Sequence, residues 1–194
     1  MNNSVQLCVI CGEKTKKNEE KHMGNHFENH HRSSLGDSRS IGSNGMRRIT
    51  TLVIHCTATR ADTDFTQKDL LRCHRARGMQ MIGYHFYIRK DGYIWSTRPL
   101  EMVGAHALGH NQESIGIAYE GGLDARGQPA DTRTERQKYS LRALIRTLKK
   151  DFPIQRVCGH RDLSPDRNGN GVVESHEWLK QCPCFDVATD EWCR

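Results

Sequence analysis

The run Ile49–His55, read as ITTLVIH, constrains this chain most. Its β-branched and aliphatic residues suit a strand buried inside a sheet, and it ends on a histidine. The segments after it alternate between strand and helix signals. Thr66-Gln-Lys-Asp69 starts a helix in capping-box fashion; this helix is expected to run through Ala76 and stop at Gly78. Tyr84–Lys90 and Tyr93–Ser96 flank Asp91-Gly92, the signal for a two-residue hairpin. Ser114–Glu120 is a further strand, closed by Gly121-Gly122. Leu141, Leu144, Ile145 and Leu148 mark one face of a helix over Thr134–Asp151, ended by Pro153. Ile154–Cys158 is a short strand that leads into Gly159-His160. The order β-α-β-β-β-α-β predicts an α/β fold with a single mixed central β-sheet flanked by helices.

Residues 1–45 do not share this pattern. They are rich in Asn, Ser, His and charge and offer few large apolar side chains, so a disordered polar tail is expected there. Met46 opens the domain, expected over residues 46–187, and is a candidate start that would leave the preceding tail outside the native chain. Residues 188–194 read as a short C-terminal tail. Cys8 and Cys11 followed by His22 and His26 have the ligand types of a zinc finger. Their ten-residue gap is short, and the apolar residues that pack a finger are missing.

Composition removes several classes. The 194 residues contain no run of 18 apolar positions, so no transmembrane helix is expected. No apolar secretory core appears near the start, and the chain is expected to be cytoplasmic as synthesised. That setting favours reduced thiols or metal ligands for the eight cysteines. The formal net charge of +6 favours a polyanionic partner such as a bacterial wall polymer. Nucleic acid is not expected, because the basic residues are dispersed and no stripe with interleaved aromatics appears. A monomer is expected.

Two histidines lie at strand ends, His55 and His160, and a Cys-Pro-Cys follows at 182–184. Two imidazoles and one thiolate can hold zinc with a fourth position open, polarise a carbonyl and activate water. Spacing alone equally allows packed histidines and ordinary cysteines.

Five segments then occur in one order: VIHCTAT around His55, GYHFYI around Tyr84, GAHALGHNQESIGIAYEGG at 104–122, GHRDLSP at 159–165 and KQCPCFD at 180–186. Together they resemble the zinc-dependent N-acetylmuramoyl-L-alanine amidases of the type 2 family, which share the fold of peptidoglycan recognition proteins and phage lysozyme-type amidases. The resemblance spans about residues 47–187. It implies zinc ligands at His55, His160 and Cys182, catalytic roles for Tyr84 and Lys180, and places near the substrate groove for His106 and Asn111. Cys184 is the rival ligand, disfavoured because the family's proline follows the ligating residue. If the segment is extended, Lys180 and Cys182 point the same way.

One stretch departs from the family. Asp166 to Glu177 matches the twelve-position calcium loop, with Asp166, Asn168 and Asn170 as side-chain ligands, Gly171 at the turn, the Val172 carbonyl and a bidentate Glu177. Pro165 argues against an entering helix. Calcium here would order the segment that delivers Lys180 and Cys182.

The resemblance implies cleavage of the amide between N-acetylmuramic acid and L-alanine, either as endolysin-like lysis of wall peptidoglycan or as cytoplasmic recycling of muropeptides. A non-catalytic peptidoglycan-binding module is the alternative of a different class. Cys182, Tyr84 and Lys180 stand against it, because members that only bind tend to lack the cysteine.

Overall fold

The computed structural model describes residues 47–190. The expected tail and the Cys8/Cys11/His22/His26 set lie outside the described residues. Strand β1 (Thr51–Cys56) lies inside the sheet, as its composition predicts. It pairs in parallel with β5 (Ser114–Tyr119) on one side and with β7 (Arg156–Gly159) on the other. Strand β3 (Phe86–Ile88) extends the sheet beyond β5 in parallel, and β4 (Ile94–Ser96) closes that edge antiparallel. The order β4-β3-β5-β1-β7 is the expected mixed sheet.

Two strands were not anticipated. Strands β2 (Thr59–Arg60) and β6 (Gly122–Leu123) form a separate parallel pair, so Gly121-Gly122 does not simply close a strand. The hairpin also differs from expectation. The amide of Arg89 donates to the Tyr93 carbonyl and that of Gly92 to the Arg89 carbonyl, so three residues, Lys90 to Gly92, make the link. Gly92 takes φ +86°, the left-handed position that ends such a three-residue loop.

Helix α1 (Gln67–Ala76) begins at Thr66. The Thr66 hydroxyl accepts from the Asp69 amide at 3.2 Å, and the Asp69 carboxylate accepts from the Thr66 amide at 2.9 Å. Helix α2 (Glu135–Asp151) repeats the device with Thr134 and Gln137. Each box satisfies amides that the first helical turn leaves without partners.

The helices cover opposite faces of the sheet. Leu52, Ile54 and Cys56 pack with Ile115, Ile117 and Tyr119 in the cluster that contains Leu141 and Ile145 of α2. Leu70 of α1 packs with Tyr87 and Ala118 on the other face. Side chains alternate along a strand, so His55 falls on the α1 face. The domain's contacts extend past residue 187: Arg133 lies over the Phe185 ring and pairs with Asp190 at 2.7 Å.

Gln137 is buried and does more than cap. Its Nε2 donates to the carbonyls of Ile88 at 3.2 Å and Glu120 at 2.9 Å, fastening α2 to the ends of β3 and β5. Gln137→Ala takes its donor away from both carbonyls, leaving Ile88 only the Glu120 amide, and breaks the capping box. The expected loss is about 1–3 kcal/mol of unfolding free energy, read by denaturant titration.

Candidate metal centre

β1 delivers His55 to the site, and the 3₁₀ turn His160–Leu163 that follows β7 delivers His160. Both strands run parallel, so they finish on the same side of the sheet and their terminal side chains meet. The third group, Cys182, comes from a loop with three anchors. The Arg161 amide donates to the Cys182 carbonyl at 2.8 Å. The buried Tyr119 hydroxyl donates to the Pro183 carbonyl at 2.6 Å. Gly159 lets Pro183 approach, because a Cβ there would lie 2.6 Å from the proline Cδ. The Cys182–Pro183 peptide is cis.

One ligand atom from each of His55, His160 and Cys182 lies within 4.8 Å of the others. The Cys182 sulfur is 3.8 Å from His55 Nδ1, and the Cys56 amide donates to that sulfur at 3.3 Å. The His55 and His160 ring centres are 4.6 Å apart. Burial first, and then the proximity of the ionisable groups of His160, His106 and Lys180, holds His55 well below the usual histidine range. Burial and then Lys180 lower His160 to about 4. Both imidazoles are therefore neutral near pH 7, the form that binds a metal.

Cys184 stands away from this group. It takes φ +69° in the turn after Pro183, so the segment is not extended, and its sulfur lies 3.7 Å from Cys56 Sγ. The Cys56 thiol and burial keep it protonated well above the ordinary cysteine range.

Two clefts meet at the cluster and share His106, His160 and Lys180. One, of about 190 Å³, is bounded by Tyr84, Met79 and Arg77. The other, of about 400 Å³, is bounded by Leu108, Leu163 and Leu179. The Tyr84 ring centre is 5.0 Å from that of His55. The structure thus brings Tyr84 and Lys180 to the same cavity as the candidate metal-ligating set.

The remaining expected residues fall differently. Asn111 spends its side-chain oxygen on the amides of His106 and Ala107, both at 2.9 Å, and so shapes its own loop. His106 lines both clefts, and its Nδ1 is 3.1 Å from His55 Nε2. The loop of Asp166 to Glu177 closes on itself. The Asp166 carboxylate accepts from Gly169 and Gly171, the Asn168 and Asn170 oxygens accept from Asn170 and Val172, and Glu177 accepts from Arg167, Asn168 and Glu174. These amides lower the Glu177 pKa. Glu177 groups instead with Glu174 and His176 as side chains whose ligand atoms converge. The calcium expectation rests on spacing alone.

Several residues outside the expected site set hold the site. Buried His74 and His85 accept the amides of Gly83 and Gly116 through Nδ1, both at 3.0 Å, and so brace the Tyr84 segment from either side. Burial lowers each to about 4. Arg161 lies 3.9 Å over the Trp178 ring and ties the residue that follows the Asp166 to Glu177 loop to the turn that bears His160. A readable signal was present in Ser114-Ile-Gly-Ile-Ala-Tyr119, where small residues alternate with large ones. Ser114, Gly116 and Ala118 share the face of His55 and form a low floor beneath the site.

Comparison with known proteins identifies the family and the fold. Residues 45–183 match the family described as N-acetylmuramoyl-L-alanine amidase. The endolysin of Klebsiella phage KP32 is 33% identical over 136 residues, covering 70% of this chain and 81% of its own. The solved endolysin N-acetylmuramoyl-L-alanine amidase LysCS of Clostridium intestinale is 34% identical, with a TM-score of 0.56 over 72% of this chain and 78% of its own. Drosophila peptidoglycan recognition protein SA, at 18% identity and a TM-score of 0.56 over 80% of this chain and 86% of its own, shares the fold.

The geometry separates the two neighbouring thiols. Cobalt, whose bond to a thiolate gives an intense near-ultraviolet band, is the probe. Cys182→Ala is expected to abolish the band and Cys184→Ala to retain it. Equal loss in both would overturn the ligand assignment.

Proposed function

The chain belongs to the N-acetylmuramoyl-L-alanine amidase family, and from that footing we propose that it hydrolyses the amide between the lactyl group of N-acetylmuramic acid and L-alanine of the stem peptide, with zinc on His55, His160 and Cys182. The observation that carries this reading is the convergence of those three side chains at a cavity that Tyr84 and Lys180 also line. The donor set fits the ion: two neutral imidazoles and one thiol suit a borderline-soft divalent metal, and three protein ligands leave a position open. When bound, zinc polarises the amide carbonyl and activates water.

The chain's own residues supply the rest. The Lys180 ammonium stands where the two clefts join, beside the oxygen that gains negative charge as the carbonyl becomes tetrahedral. The Tyr84 hydroxyl is a second donor, suited to that oxygen or to the proton that the departing L-alanine nitrogen requires. The clefts on either side of the cluster give a strand of substrate two directions in which to lie, so a bond within a polymer can reach the centre.

Kinship with phage endolysins and the formal charge of +6 support intact wall peptidoglycan as the substrate. The loop of Asp166 to Glu177 then serves as a self-closed clasp, and Trp178 stacks beneath Arg161 just before Lys180 and Cys182.

The test is digestion of intact sacculi by zinc-loaded protein, with products analysed by mass. Soluble peptides bearing a free L-alanine amine are expected. Tyr84→Phe and Lys180→Ala are each expected to lower kcat on the order of 10²–10³-fold while zinc content holds. Products cut between sugars would overturn the reading. Activity confined to small soluble muropeptides would move it to recycling.

A further inference from the structure

We propose that His106 is a positioning residue that fixes the orientation and tautomer of the ligand His55, rather than a group that binds substrate. The proposal rests on the zinc reading above and concerns how the ligand is held.

His55 has two ring nitrogens with different neighbours. Nδ1 faces the Cys182 sulfur at 3.8 Å, and Nε2 faces His106 Nδ1 at 3.1 Å. A neutral imidazole that gives Nδ1 to a metal carries its proton on Nε2, and that N–H needs an acceptor. His106 Nδ1 is that acceptor. The His106 proton then lies on Nε2, directed at the Ser114 hydroxyl at 3.5 Å, and Ser114 in turn donates to the His110 carbonyl at 2.5 Å. Each link carries one proton and all point the same way, from His55 inward to a backbone oxygen.

The surrounding backbone is shaped around this ring. A Cβ on Gly104 would lie 2.7 Å from His106 Nε2, and a Cβ on Gly116 would lie 2.5 Å from its Cγ. The two glycines clear space on separate segments for one imidazole. Asn111 fixes the ring's own backbone by accepting the amides of His106 and Ala107. His85 holds the floor strand by accepting the Gly116 amide. A residue meant only to touch substrate needs a place on the cleft wall. It does not need a socket with two missing side chains and a ligand histidine as hydrogen-bond donor.

The experiment has two arms. The first is nitrogen-15 histidine NMR on the wild-type, zinc-loaded protein, which assigns tautomers without altering the chain. Both His55 and His106 are expected to carry their protons on Nε2. A proton on His106 Nδ1 would overturn the proposal. The second arm measures zinc affinity by competition with a chromophoric chelator, beside the melting temperature of the metal-free protein. His106→Ala is expected to weaken zinc about 10- to 100-fold. His106→Asn, whose side-chain oxygen can stand near the position of Nδ1, is expected to recover most of that loss. Equal loss in both variants, or wild-type affinity in a folded His106→Ala protein, would overturn it. Should His106→Ala not fold, the NMR arm decides alone. Failure of the wild type to take up zinc would instead remove the functional reading on which the proposal stands.

Discussion

The site depends on β1 being held from both sides. Hydrogen bonding to β5 and β7 sets His55 opposite Ala118 and Ile54 opposite Gly159. A slip of one residue would turn His55 toward α2 and send Ile54 into the cavity, because strand side chains alternate between faces. The same pairing places the end of β7 beside the end of β1, so His160 arrives next to His55 from more than a hundred residues away without a long reach. The loop bearing Cys182 then has only to be pinned against Gly159 and Tyr119, both already fixed by the sheet.

Much of this frame was legible because the signals are local. Thr66 with Asp69 is a side-chain and backbone pair within four residues, and α1 starts where that pair predicts, while the stripe of Leu141, Leu144, Ile145 and Leu148 marks α2. The β1 run is apolar enough to be central in any arrangement. The hairpin was legible only in outline: Asp91-Gly92 identifies a turn, but the bond from Arg89 to Tyr93 decides its length. Strands β2 and β6 are two residues each and carry no periodicity. Their pairing follows from where β1 and β5 leave the sheet, which is tertiary information. The choice between Cys182 and Cys184 likewise rests on a turn. An extended chain would aim both sulfurs alike, whereas the positive φ of Cys184 sends its sulfur to Cys56.

The loop of Asp166 to Glu177 shows how one spacing can serve two ends. The oxygens that a calcium ion would need are those that turn a short polar loop back on itself by accepting its amides. Here Asp166 and Glu177 do so at the two ends of the loop. The loop's return is fastened by other means. Leu179 donates its amide to Ser164, and Trp178 gives its ring face to Arg161. A long excursion therefore returns Lys180 and Cys182 to a place set by β7 and its turn.

Histidine use in this domain follows a single physical rule. A buried imidazole is tolerated when it stays neutral and both nitrogens are satisfied, which makes it a bridge with one donor and one acceptor. His74, His85 and His106 all accept through Nδ1 and are all held well below the ordinary range by burial. Composition and periodicity do not tell the three apart; only the family resemblance singles out His106. What separates them is the group on the other side of the bond. For His74 and His85 that group is a backbone amide, so the ring braces the fold. For His106 it is the ring of His55, so the same bridge reaches the candidate metal-ligating cluster. The small face of β5 makes this difference possible. Ser114 gives the bridge its far end, Gly116 gives it room, and Ala118 leaves His55 unobstructed, while Ile115, Ile117 and Tyr119 on the opposite face build the core against α2.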